Sequence, residues 1–84
     1  MSILDDAIGQ LQHSLDSLEE ARTALGGADD ELDNAQGNYT AIGDGDRAER
    51  IQAAREAADK ALGRIGTVVE AVEEALQHAR DLVG

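Results

Sequence analysis

Residues 4–39 read LDDAIGQLQHSLDSLEEARTALGGADDELDNAQGNY, and this stretch decides the fold. Every seventh position in it is leucine until tyrosine takes the last place, which gives the column Leu4, Leu11, Leu18, Leu25, Leu32 and Tyr39. A seven-residue apolar repeat is typical of an α-helix that packs along a left-handed seam against another helix. The repeat therefore predicts a first helix over residues 2–38.

A second apolar column flanks the leucines and changes along the helix. Ile8 and Leu15 lie four residues after a leucine position. Further along the helix, the apolar residue lies three positions after each leucine, at Ala21, Ala28 and Ala35. The column that Ile8 and Leu15 begin continues with polar residues, namely Arg22, Asp29 and Gln36. The pattern indicates a seam that narrows to alanine toward the middle of the chain.

Residues 46–83 predict a second helix with a broad apolar face. Three neighbouring columns form that face, and they run from Ile51 to Ala79, from Ala54 to Leu82 and from Arg55 to Val83. Three glycines within residues 37–46 predict the turn between the helices. We expect an antiparallel two-helix hairpin in which the leucine column packs against the first two of these columns. At the turn end, Ala28, Ala35, Ala54, Ala58 and Ala61 would then close tightly.

Two local signals bear on where the helices begin and whether the first is continuous. Ser2 with Asp5, and Asp46 with Glu49, have the spacing of a capping box. The pair Gly26-Gly27 offers an alternative fold, a three-helix bundle broken at this point. Since Leu25 and Leu32 keep the seven-residue spacing across the glycines, we favour one continuous helix.

The surplus apolar residues predict a surface for a partner. One facing helix covers about two columns, which leaves the third column of the second helix as a spare ridge, while Ile8 and Leu15 extend the seam of the first. The predicted partner-binding residues are Ile8, Leu15, Leu62, Val69, Leu76 and Val83. A homodimer forming a four-helix bundle, or a different helical partner, would cover them.

Composition excludes several classes of function. The 84 residues hold one aromatic residue, no cysteine and 18 acidic against 7 basic residues, for a net charge of −11. Such a chain opposes phosphate backbones and anionic membranes, and it lacks the aromatic residues on which bases stack. We therefore expect no nucleic-acid ligand, no membrane insertion, no cofactor, no metal and no enzymatic activity. We also expect a cytoplasmic protein, with signal-peptide-independent secretion as the alternative.

The charged residues near the turn predict how the two helices align along each other, and they do not predict a metal or ligand site. An antiparallel hairpin brings Arg55 beside Asp29 or Asp30, where opposite charges favour one alignment. Asp44 and Asp46 suit the turn and the start of the second helix better than a calcium site. His13 and His78 fall on outer positions too far apart to share a ligand.

The turn reads Asn38-Tyr39-Thr40-Ala41-Ile42-Gly43-Asp44-Gly45. A short acidic hairpin without cysteine resembles in architecture the WXG100 (ESX-like) proteins of type VII secretion. It also looks like the small helical-hairpin proteins that actinobacteria encode beside contact-dependent toxins, in which a tyrosine near the end of the first helix precedes a glycine-containing turn. The Trp-x-Gly motif and the C-terminal tyrosine-based export signal of the WXG100 family have no counterpart here, since the sequence has no tryptophan and Tyr39 is its one tyrosine. The resemblance implies a small helical partner, such as a type VII secretion-like accessory or chaperone. The alternative hypothesis is an acidic inhibitor or antitoxin that covers a basic surface of a toxin.

Overall fold

The computed structural model describes residues 2–83, and over that range it consists of two α-helices joined by a short turn. Helix α1 spans Ile3–Ala41 and helix α2 spans Gly45–Val83. The helices lie antiparallel and form a rod of 61 × 17 × 14 Å. At about 1.5 Å per residue, one helix accounts for nearly the whole length of the rod. The predicted all-α antiparallel hairpin is confirmed.

Helix α1 continues without a break through Gly26 and Gly27, so the alternative three-helix bundle is wrong. Each glycine costs a helix roughly 1 kcal/mol relative to alanine. The leucines on both sides of the pair, Leu25 and Leu32, are half-buried in the seam and hold the helix in register. The helix also ends three residues later than predicted, at Ala41, and it is followed by Ile42 as its C-cap.

The N-terminal ends of the two helices agree with the sequence prediction at α1 and differ from it at α2. Ser2 caps α1 as predicted, because its Oγ accepts a hydrogen bond from the Asp5 N–H at 3.1 Å. Helix α2 is capped by Asp44, whose Oδ1 accepts from the Arg47 N–H at 3.1 Å. The predicted cap, Asp46, instead lies in the first turn. The reason is the left-handed conformation of Gly43, with φ of 80°, which lets the helix begin earlier than predicted.

The seam between the helices follows one regular alternation of three- and four-residue steps. Two residues are called level when they lie at the same height along the rod. Gln36 of α1 is level with Ile51 of α2, and Leu11 of α1 is level with Leu76 of α2. Two contacts support this register: Gln36 Nε2 donates to Gln52 Oε1 at 3.0 Å, and a Cβ built on Gly66 would lie 3.7 Å from Arg22 Nη2.

The composition of the seam differs from the prediction on both helices. On α1 the column begun by Ile8 and Leu15 continues inward, so that the polar Arg22, Asp29 and Gln36 are half-buried while Ala21 and Ala28 are exposed. On α2 the Ile51 column packs inward as predicted, but its neighbour in the seam is the Arg55 column. The Ala54 column is mostly exposed, and Val68 in it keeps 46% of its surface accessible.

The larger side chains of the Arg55 column explain this choice. Leu62, Val69 and Leu76 remove more apolar surface from water than the alanines of the neighbouring column would, and burial of apolar surface stabilises the fold in proportion to its area. With the Arg55 column facing the seam, the Arg55 side chain also reaches hydrogen-bond partners on α1. The expected tight closure at the turn end is only partly present, since Ala28 and Ala54 are exposed.

The buried core of the hairpin is small. Within residues 2–83 only Ala48, Val69 and Leu76 are buried, at 9%, 5% and 5% exposure, and all three belong to α2. The remaining seam residues keep part of their surface in water because two helices cover each other along one line. Over the residues described, neither helix combines the length and apolar character needed to cross a bilayer.

Candidate interaction surface

One long side of the hairpin carries a hydrogen-bonded network centred on Arg55. Arg55 Nη1 donates to Asp33 Oδ1 and to Gln36 Oε1, both at 2.9 Å, and its Nε donates to Asp29 Oδ1 at 3.4 Å. Gln36 passes the network to Gln52 of α2. The predicted pairing of Arg55 with Asp29 is confirmed, whereas the Asp30 alternative is replaced by Asp33.

Toward the chain termini the same side forms an open groove. Its floor includes Leu15, and its walls are mainly polar; the other lining residues are Gln12, Asp16, Glu19, Val69, Glu73, Leu76, Gln77 and Arg80. The groove and the Arg55 network together establish which helical positions share this side. We call it the polar side. It comprises, on each helix, the two columns that lie next to the seam on the side of the groove and the Arg55 network.

The polar side concentrates the negative charge of the protein. Ten exposed carboxylates lie on it: Asp5, Asp16, Glu19, Asp30, Asp33, Glu49, Glu56, Asp59, Glu70 and Glu73. Within the part of the chain that the structure describes, Arg80 is the one cation in the same columns. Like charges at this density repel one another and keep the side hydrated.

The opposite long side has a different composition. Because side chains repeat around each helix, the positions at the other edge of the seam lie together on that side. They comprise mainly small apolar residues: Ala7, Ala21, Ala24, Ala28 and Ala35 on α1, and Ala54, Ala57, Ala61, Val68, Ala71, Ala75 and Leu82 on α2. We call this surface the alanine side.

Few acids reach the alanine side. Among residues 2–83, its columns contain one carboxylate, Glu31, whereas Arg47, Arg50 and Arg64 supply positive charge. Arg47 is engaged within the hairpin, since its Nε lies 3.5 Å from Asp44 Oδ2 and its guanidinium lies over the Tyr39 ring, 5.6 Å from the centroid. A protein with a net charge of −11 thus has one side with almost no negative charge.

Exposed large apolar side chains accompany the alanines. Val68, Leu82 and Ile3 lie on this side with 46%, 78% and 89% of their surfaces accessible. Leu82 and Ile3 are close to the end of the rod opposite the turn, and Val83 in the same region is 57% exposed. A contiguous apolar strip bordered by polar residues is typical of an interaction site.

The predicted partner-binding residues mostly belong to the seam. Ile8, Leu15 and Leu62 are half-buried, and Val69 and Leu76 are the best-buried large side chains of residues 2–83. The expectation that their column forms a spare ridge is therefore wrong, because it packs inside the hairpin; only Val83 is exposed. The exposed column is its neighbour, which was predicted to lie in the seam: Ala54, Val68, Ala75 and Leu82 are exposed and Ala61 is half-buried.

The two histidines lie apart, on different helices. His13 is exposed on α1, and His78 Nε2 on α2 lies 3.8 Å from Glu74 Oε1, one turn earlier in the same helix. Over the part of the chain that the structure describes, no group of three or more His, Cys, Asp or Glu side chains is arranged to hold a metal ion.

The sequence matches no known protein family, and comparisons with curated proteins and with solved structures also found no match.

Proposed function

We propose that this chain is a non-enzymatic helical interaction module that buries its alanine side against the helices of another chain. The partner is a second copy or a different helical protein. The observation that carries the proposal is the unequal distribution of charge: ten carboxylates on the polar side against Glu31 alone on the alanine side. Solubility alone favours charge on every exposed side, whereas an interface excludes it from the side that becomes buried.

The side chains of the alanine side suit contact between helices. Small residues let two helices approach to the short end of the usual 8–10 Å separation. Val68 and Leu82 project among the alanines with large exposed areas and supply apolar surface for a partner to bury. Such burial contributes about 25 cal/mol per Å² and would supplement the small core of the hairpin.

A type VII secretion-like accessory or chaperone role is one form of this function. The antiparallel hairpin and the position of Tyr39 near the end of α1 support it. In this role the protein would act in the cytoplasm or after secretion without a signal peptide.

The polar side supports a second candidate, an inhibitor or antitoxin that covers a basic surface. Asp16, Glu19 and Glu73 surround the groove near the chain termini, and seven further carboxylates continue along the side. Opposite charge steers such partners together and raises the association rate. This binding would weaken steeply with added salt, whereas binding through the alanine side would not.

Affinity capture from the native cells tests the proposal. The full chain is compared with Val68→Glu on the alanine side and with Gly63→Glu on the polar side as the matched control, since a Cβ at Gly63 meets nothing within 4 Å. We expect a stoichiometric protein, either the chain itself or another helical protein, that the control retains and Val68→Glu loses. Recovery of the folded tagged chain with neither an untagged copy of itself nor another protein bound contradicts the proposal. A partner lost only in high salt indicates the inhibitor function.

A further inference from the structure

We propose that the alanine side is covered by the alanine side of a second copy, with α1 of each chain lying on α2 of the other. The proposal rests on the proposed interaction function and specifies its partner. The two copies are related by a two-fold axis parallel to the rod, and all neighbouring helices of the resulting four-helix bundle are antiparallel.

Three exposed cations of α2 form no ion pair among residues 2–83. Arg50 and Arg64 lie in the outer column of the alanine side, and Lys60 lies in the adjoining outermost column of α2, which also carries Asp46, Glu74 and Asp81. The corresponding columns of α1 carry Asp6, Glu20 and Glu31, and Glu20 and Glu31 form no ion pair within the described residues. This edge of α1 is therefore acidic, whereas residues 50–64 of α2 carry three cations and no acid in the columns that would face it.

The register of the hairpin brings these edges together in the proposed dimer. A two-fold axis along the rod keeps each residue at its own height, so α1 of one copy meets α2 of the other as it does within one chain. Glu20 of the partner subunit then lies about 5 Å along the axis from Arg64, and Glu31 of the partner subunit lies about 6 Å from Lys60. Long side chains span such offsets.

Two other ways of pairing two copies place like charges together. Packing α2 on α2 about a two-fold axis perpendicular to the rod brings Arg64, at the midpoint of α2, beside Arg64 of the partner subunit. Packing the polar sides together brings ten carboxylates of one chain against ten of the other. Juxtaposed like charges disfavour an arrangement, so charge favours the α1-on-α2 dimer.

The size of the alanine side is sufficient for a stable dimer. The rod is 61 Å long and 14 to 17 Å across. A standard interface buries about 800 Å² on each partner, which is within the area that one long side offers. The strip also extends the full length of the hairpin, from the residues near the turn to Leu82 and Ile3 at the other end.

Disulfide formation between single-cysteine variants tests the arrangement, because the chain has no cysteine of its own. Ser17 and Ala71 are level with each other and lie on opposite outer edges of the alanine side. Two helix axes are 8–10 Å apart, and outward-facing positions are farther apart still, whereas a disulfide needs Cα atoms within about 7 Å. A bond between Ser17→Cys and Ala71→Cys must therefore join two chains. Asp16→Cys and Glu70→Cys, one residue earlier on each helix and on the polar side, form the matched control.

We expect a mixture of Ser17→Cys and Ala71→Cys chains to oxidise to a mixed disulfide dimer, while either variant alone and the control mixture stay largely unlinked. Arg64→Glu should weaken dimerisation about three- to tenfold, and adding Glu20→Arg to the same chain should restore it. Efficient linking of the control pair, or of each variant with itself, overturns the arrangement. If the wild-type chain is a folded monomer, the proposal that a second copy is the partner is wrong. The proposed interaction function would still hold if affinity capture recovers another helical protein.

Discussion

Arg55 Nε lies 3.4 Å from Asp29 Oδ1 across the seam, and both side chains are largely covered, with 28% and 20% of their surfaces exposed. Asp33 and Gln36 complete the set of acceptors around the guanidinium. Sliding α1 by a heptad would bring either Gln36 or the like-charged Arg22 to the place that Asp29 occupies beside Arg55, because these three residues share one column. The Arg55–Asp29 pair therefore selects one register along a seam whose apolar layers resemble one another.

Arg55→Ala should lower the free energy of unfolding by about 1 to 2 kcal/mol, because it leaves the half-buried Asp29 without its charged donor. In a double-mutant cycle with Asp29→Ala, the two losses should overlap by at least 0.5 kcal/mol, roughly the lower limit for residues in contact. Urea unfolding followed by circular dichroism measures each variant, with the exposed Arg80→Ala as control. Strictly additive losses would contradict the pairing.

Glycine positions should respond to alanine in opposite directions. Gly63→Ala should stabilise the hairpin by roughly 1 kcal/mol, since it lies inside α2 with nothing within 4 Å of a new Cβ. Gly43→Ala should destabilise it by about 1 kcal/mol or more, because Gly43 has φ of +80°. Thermal unfolding of both variants tests this, and equal shifts of the same sign would refute the assigned turn.

The start of α2 offers a comparison between two neighbouring aspartates. Asp44→Ala should cost about 1 kcal/mol, because it removes the acceptor of the Arg47 N–H. Asp46→Ala should cost a few tenths of a kcal/mol, since Asp46 interacts only with the dipole of the first turn. Chemical denaturation ranks the two. A larger loss for Asp46 would restore the cap predicted from sequence.

The seam assignment of α2 is tested by truncating side chains at two leucines. Leu76→Ala should cost about 2 to 5 kcal/mol because Leu76 is 5% exposed. Leu82, which is 78% exposed, should tolerate alanine with a loss below about 0.5 kcal/mol under conditions in which the chain is monomeric. If Leu82→Ala is the more damaging change in the monomer, the alanine side belongs to the seam.

The leucine column over Leu4 to Tyr39 made the first helix predictable, and the three apolar columns of residues 46–83 made the second helix predictable. The edge of the seam was harder to predict. Ala54 is apolar and Arg55 is charged, so hydropathy favours the Ala54 column, yet the Arg55 column also contains Leu62, Val69 and Leu76. The larger area of these three side chains, and the acceptors that α1 provides for Arg55, decide the packing.

The alanine side could have been found by a different count. Hydropathy marked the Arg55 column as surplus and so identified a buried column as the partner surface. Sorting the acids by their position around each helix would have shown that only Glu31 lies in the alanine-side columns. The position of Asp44 as cap was less accessible, because it depends on the backbone conformation of Gly43.

Light scattering of the purified full chain tests the central claim, that the alanine side is covered by a second copy. At tens of micromolar we expect about twice the monomer mass of 8.8 kDa for the wild type and for Gly63→Glu, and a mass near 8.8 kDa for Val68→Glu. A wild-type chain that is helical, cooperatively folded and monomeric at that concentration would contradict the claim.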